Sequence, residues 1–170
     1  MTPPSRPAPV RAGDPVPEFS GTTASGSPLS RGDLAGRPAV LFFYPRAGSP
    51  GCSIESREFA RLHDRFVAAG VRVVGISVDP PESQQRFRDS CGLPFDLIAD
   101  TGREISRRFG VLGGLGMARR TTFLVGPDGR VLHVIRTWRP RRHAEDALAR
   151  LTARQNAPDA ARPVGDPGGR

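Results

Sequence analysis

The chain contains two cysteines and no lysine among its 170 residues. Two cysteines are too few for the disulfide framework of a secreted domain, and Cys52 and Cys91, 39 positions apart, fit no zinc-ligand spacing. Reduced thiols in the cytoplasm are the expectation. No stretch approaches the ~20 apolar residues that a membrane span requires. The opening MTPPSRPAPVRAGDP lacks the apolar core of a signal peptide. Neither a membrane partner nor export is expected.

With lysine absent, the formal charge of +8 is carried by arginine. The arginines run from Arg6 to Arg170 with only short pairs, such as Arg107-Arg108 and Arg141-Arg142, and aromatic residues make up 6% of the chain. A surface that tracks phosphates and stacks bases clusters its charge and interleaves aromatic rings. The scattered pattern reads as solvated surface, so nucleic acid is not an expected partner. An arginine-rich module binding nucleic acid or another acidic partner remains the alternative from a different functional class.

The length suits one domain able to bury a core without staples. Residues 1–12 and 153–170, rich in Pro, Ala, Gly and Arg and lacking apolar periodicity, read as disordered tails around a domain at 13–152. Within it AVLFFY (39–44) and VRVVGISV (71–78) are nearly continuous apolar runs, as in strands covered on both faces. Between them, residues 52–69 space Phe59, Leu62, Phe66 and Ala69 as one helical stripe, ended by Gly70. A strand, helix and strand in this order form a right-handed parallel crossover. Pro81 opens a second helix running to Gly92. FDLIAD is a short strand leading to a helix near 101–109. TTFLVGPDGRVLHVIRTW reads as a hairpin around Pro-Asp-Gly, and residues 142–152 supply a closing helix. The fold class is α/β, a thioredoxin-like fold with a mixed central sheet and helices on both faces.

The segment YPRAGSPGCSIES (44–56) sets Cys52 where the first central strand ends and a helix begins. A thiol normally titrates near 8.5, and the unpaired amides and positive dipole end of a helix N-terminus favour its anion. Ser49, three residues earlier, adds a hydroxyl that both donates and accepts, and Pro45 and Pro50 stiffen the turn. Such a turn can hold a small oxygen substrate, whereas a merely packed cysteine needs none of these features. Positions 49 and 55 are Ser49 and Glu55, so no Cys-x-x-Cys dithiol exists.

FFYPRAGSPGCSIESREF resembles the peroxidatic-cysteine segment of the peroxiredoxins, Pro-x-x-x-Thr/Ser-x-x-Cys, with Pro45, Ser49 and Cys52 in register. The Ser-Pro-Gly-Cys core is most similar to the bacterioferritin comigratory protein branch, also called peroxiredoxin Q. The likeness extends from about Gly13 to Leu151 through GDPVPEFSG, VVGISVDPPESQQRF, GLPFDLIAD and RRTTFLVGPDGRV. It implies a thiol peroxidase without cofactor or metal. Cys52 would attack hydrogen peroxide or an organic hydroperoxide, and thioredoxin or a similar dithiol would recycle the enzyme, a monomer or weak dimer. It further implies a site arginine, and the Arg-x-x-Phe-Leu pattern selects Arg120 over Arg119. The resolving cysteine common five residues after the first is replaced by Arg57, which leaves Cys91 as the candidate. A one-cysteine peroxidase using an external thiol is the other reading. The RGD at 31–33 reads as a turn, GGLG at 113–116 as a mobile loop, and His63, His133 and His143 as structural residues.

Overall fold

The computed structural model describes residues 7–156. In chain order the elements are β1 (Ser20–Thr22), β2 (Pro28–Ser30), β3 (Ala39–Phe43), α1 (Pro50–Arg61), α2 (His63–Ala68), β4 (Arg72–Ser77), α3 (Pro81–Cys91), β5 (Asp96–Ala99), α4 (Glu104–Arg108), β6 (Thr121–Val125), β7 (Val131–Ile135) and α5 (Pro140–Asn156). Five strands form the main sheet in the order β5-β4-β3-β6-β7. β3, β4 and β5 run parallel, and β6 is antiparallel to both β3 and β7. This is the thioredoxin-like α/β arrangement.

Every residue of β3 is buried, as its unbroken apolar run requires. Its side chains alternate between two cores. Val40 and Phe42 face Phe59, Phe66, Phe87 and Leu148 of α1, α2, α3 and α5, while Ala39, Leu41 and Phe43 face Ile105 of α4 and Phe109 just beyond it. The Phe42 and Phe59 rings stack with centroids 4.3 Å apart. Gly75 on β4 leaves room for that stack: a Cβ there would lie 2.8 Å from Phe42 Cζ and 2.7 Å from Leu97 Cδ2.

Several expectations need correction. The helix read over 52–69 starts at Pro50 and breaks at Leu62, whose φ of −92° and ψ of 0° interrupt the helix while Phe59, Leu62 and Phe66 all stay buried. An apolar stripe reports what faces the core and is indifferent to one lost turn. The β1–β2 hairpin carries too few apolar residues to announce itself. Residues 7–12 are not a free tail: Val10 is buried against the α4 side, its amide donating to the Phe109 carbonyl at 3.3 Å. Residues 153–156 complete α5, and Gln155 Nε2 donates to the Ala69 carbonyl at 2.7 Å. The remainder of both expected tails, 1–6 and 157–170, lies outside the described residues. The RGD segment forms a 3-10 turn, Arg31–Leu34, closed by Ser30 and Asp33. Among the described residues no helix is long and apolar enough to cross a membrane.

Candidate active site

The turn between β3 and α1 is tied down before it reaches the cysteine. Ala47 N–H donates to Asp79 Oδ2 at 2.7 Å, and Ser77 Oγ, at the end of β4, donates to the same oxygen at 2.6 Å. Gly48 takes a φ of +83°, where a side chain would be strained. Ser49 then caps α1, its Oγ accepting from Cys52 N–H at 3.4 Å, and Pro50 fills the first helical position, where no amide hydrogen is needed. Half-buried Pro45 fixes the chain direction at the strand exit. Cys52 sits in the first turn of α1 and is completely buried.

Arg120 reaches this turn from the residue just before β6. Its Nη2 donates to Cys52 Sγ at 3.4 Å and its Nη1 to Glu55 Oε2 at 3.0 Å. Arg119, which also precedes β6, is exposed. The structure thus gathers Cys52, Ser49 and Arg120 around one turn, with Pro45 at its entrance. Cys91, the last residue of α3, is half-buried on the same side of the sheet as Cys52, and both thiols are free.

Glu55 and its neighbours were not read from the sequence as part of the site. Glu55 lies one turn after Cys52 and is fully buried; burial pushes its carboxyl up to about 8 against the opposing pull of Arg120. His143, at the start of α5, sits 3.8 Å from Glu55 Oε2. Its Nε2 is 2.9 Å from the Thr137 carbonyl, which can only accept, and its Nδ1 is 2.8 Å from Thr122 Oγ1. The carbonyl places a proton on Nε2, and burial, which favours the neutral ring, holds its pKa below the usual histidine value. Behind Cys52, the buried Tyr44 hydroxyl donates to Gln84 Oε1, and Gln84 Nε2 donates to Ser77 Oγ at 2.8 Å and to the Ile98 carbonyl at 3.0 Å. The GGLG segment makes a turn closed by Gly113 N–H on the Met117 carbonyl at 2.8 Å, with Leu115 exposed at its tip.

A buried sulfur at a helix start, facing a guanidinium, suits an anionic nucleophile and an oxygen that gains charge as it leaves. The fold and this single-cysteine site define a thiol enzyme on the thioredoxin scaffold. Residues 12–134 match the AhpC/TSA family, and the chain belongs to that family. It is 32% identical over 147 residues to peroxiredoxin Bcp of Escherichia coli, covering 82% of this chain and 94% of that one. Peroxidoxin BcpB of Mycobacterium tuberculosis superposes with a TM-score of 0.80 at 36% identity, covering 85% of this chain and 97% of that one. The bacterioferritin comigratory protein of Xanthomonas campestris, described for alkyl peroxide reduction, gives a TM-score of 0.76 at 29% identity over 80% and 91% of the two chains. The chain is a thiol peroxidase of the Bcp and peroxiredoxin Q branch.

Proposed function

We propose that Cys52 is the peroxidatic nucleophile of a cytoplasmic peroxiredoxin that reduces hydrogen peroxide and organic hydroperoxides. The carrying observation is Arg120 Nη2 at 3.4 Å from the buried Cys52 Sγ, on a helix start capped by Ser49. The sulfur anion attacks the terminal oxygen of the peroxide. The S–O bond forms as the O–O bond breaks, and the electron pair departs on the second oxygen, which is protonated to alcohol or water. Arg120 offers fixed donors to both the anion and the leaving oxygen, Ser49 polarises the turn, and Pro45 and Pro50 hold it rigid. Organic hydroperoxides enter the proposal because the Xanthomonas neighbour is described for alkyl peroxides.

Cys91 is the proposed resolving residue: its thiol attacks the Cys52 sulfenic acid, expels water and forms a disulfide that thioredoxin or a similar dithiol then reduces. A disulfide needs Cα atoms within about 7 Å. Because Cys52 is wholly buried and Cys91 ends a separate helix, the first turn of α1 and the last turn of α3 must unwind to meet. That separation also favours the second reading, a one-cysteine enzyme using an external thiol. Neither nucleic acid nor a membrane is among the proposed partners, and the working unit is a monomer or weak dimer.

Mass spectrometry after one equivalent of hydrogen peroxide, with non-reducing peptide mapping of wild type and Cys91→Ser, tests the scheme. An oxygen on Cys52 followed by a Cys52–Cys91 peptide is the expected result. An unoxidised Cys52 sinks the peroxidatic assignment. A sulfenic acid with no linked peptide, together with full turnover of Cys91→Ser on thioredoxin, selects the external-thiol reading.

A further inference from the structure

Cys52 and Glu55 are two buried acids one helical turn apart, and Arg120 touches both, with Nη2 on the sulfur at 3.4 Å and Nη1 on Oε2 at 3.0 Å. The second carboxyl oxygen, Oε1, is buried and has no hydrogen-bond partner among the described residues. Among the described residues Arg120 is the permanent cation in contact with Glu55. From α5 the facing group is His143, whose ring nitrogens are bonded to Thr122 and the Thr137 carbonyl and whose neutral form burial favours. Behind Cys52 the facing groups are Tyr44 and Gln84, bonded to each other, and burial keeps the tyrosine protonated. With both acids ionised the buried cluster carries a net charge of minus one, which desolvation opposes. With one proton kept between them it is neutral.

We infer that Glu55 holds this proton while Cys52 is the attacking anion, and that it delivers the proton to the leaving oxygen of the peroxide. The inference rests on the peroxidatic role proposed for Cys52. Sγ bonds to the terminal oxygen, the O–O bond breaks, and the departing alkoxide or hydroxide takes the Glu55 proton and leaves as alcohol or water. Sulfur is oxidised to the sulfenic acid and the peroxide is reduced. The negative charge has then passed from Cys52 to Glu55, and Arg120 neutralises it in either place. The cluster is neutral before and after the step. Oε1 is the oxygen free to carry the proton, because Oε2 accepts from Arg120. The raised carboxyl value produced by burial points the same way.

The test uses the full chain carrying Cys91→Ser, so that hydrogen peroxide stops at the sulfenic acid, with and without Glu55→Gln. Glutamine keeps the shape and the acceptor for Arg120 but has no proton to give. With the thiolate content matched by ultraviolet absorbance, Glu55→Gln is expected to take up one more proton from weakly buffered, neutral solution per sulfur oxidised. Its oxidation slows on the order of a hundredfold, the scale of a lost general acid. Infrared difference spectra of the parent lose a carboxylic-acid carbonyl band on oxidation, and that band is absent from the variant. Equal proton uptake, or a parent without the band, overturns the inference. Should Glu55→Gln fail to fold, the infrared band of the parent decides alone. A Cys52 that gains no oxygen by mass spectrometry defeats the peroxidatic role itself, whereas an oxidised Cys52 without the proton difference defeats only the assignment to Glu55.

Discussion

Replacing Arg120 by alanine separates its effect on the reaction from its effect on the fold. The side chain is 18% exposed and its loss leaves the Glu55 carboxyl fully buried with neither oxygen partnered. An uncompensated buried charge costs about 3–5 kcal/mol, but this carboxyl can take a proton instead, which reduces the cost to the ~1–3 kcal/mol of an unmet hydrogen bond. A loss of about 2 kcal/mol at neutral pH is expected, a fall of ~4–8 °C in Tm for a chain of this size. Peroxide oxidation of Cys52 slows by about 10²–10³, the effect of removing one donor from a reacting anion. Arg119→Ala, at an exposed position of the same strand edge, stays within ~0.5 kcal/mol of wild type and turns over normally. Combining Arg120→Met with Glu55→Leu recovers stability, since no buried charge is orphaned, but not rate. Thermal unfolding and single-turnover oxidation measure the two quantities. A rate loss in Arg119→Ala equal to that in Arg120→Ala, or a double variant that regains rate, refutes the reasoning.

Cys52→Ser is expected to fold, as judged by circular dichroism, and to have no peroxidase turnover, because the hydroxyl is not an anion at neutral pH; turnover near wild type counts against Cys52. Gly51→Ala places a Cβ 3.0 Å from Arg120 Nη2, the flexible end of that side chain, so the fold holds while the guanidinium shifts and oxidation slows on the order of tenfold to a hundredfold; an unchanged rate constant shows that Arg120 has latitude. Glu55 has a folded value of about 8 against an ordinary 4.5, so the native state binds the extra proton between these values and loses that stabilisation as pH rises through the window. Denaturant titrations should therefore show Glu55→Gln gaining on wild type from about pH 4.5 to about 8, by at most ~5 kcal/mol, then levelling; parallel curves contradict the buried-proton account.

The central strands were legible because β3 and β4 are apolar on both faces, and Cys52 because Ser-Pro-Gly before it spells a helix start. Arg119 and Arg120 both lie just before β6, where strand alternation does not tell them apart; only the family pattern chose between them. Glu55 was within reach. Positions 52, 55, 59, 62 and 66 follow the helical spacing of three and four, so Glu55 stands on the stripe that Phe59 and Phe66 bury and needs a partner there. That partner lies 65 residues away, which no local pattern reports. His143 and Tyr44 were hidden for the same reason, as their roles depend on Thr122, Thr137 and Gln84 brought in by tertiary contact. Val10 was missed because one apolar residue amid prolines and arginines shows no period.

The proposed cycle asks opposite things of the first turn of α1: a closed, dry pocket during attack and an open one for resolution. From Pro50 to Ile54 only Cys52 is fully buried, while Pro50 and Ile54 are exposed. The turn is therefore anchored through Cys52 itself, by its core contacts and by Arg120 at 3.4 Å. Conversion of the sulfur anion to a neutral sulfenic acid removes the charge that Arg120 attracts, so the anchor weakens at the step after which the turn has to unwind. The partner segment is built alike. Phe87 is the last fully buried residue of α3, Asp89 and Ser90 are exposed, and Gly92 closes the helix in the left-handed conformation with a φ of 61°. Short turns with little buried apolar surface open at low free energy without disturbing the Phe42–Phe59 core beneath them. In the proposed cycle, oxidation of Cys52 thus releases its own restraint.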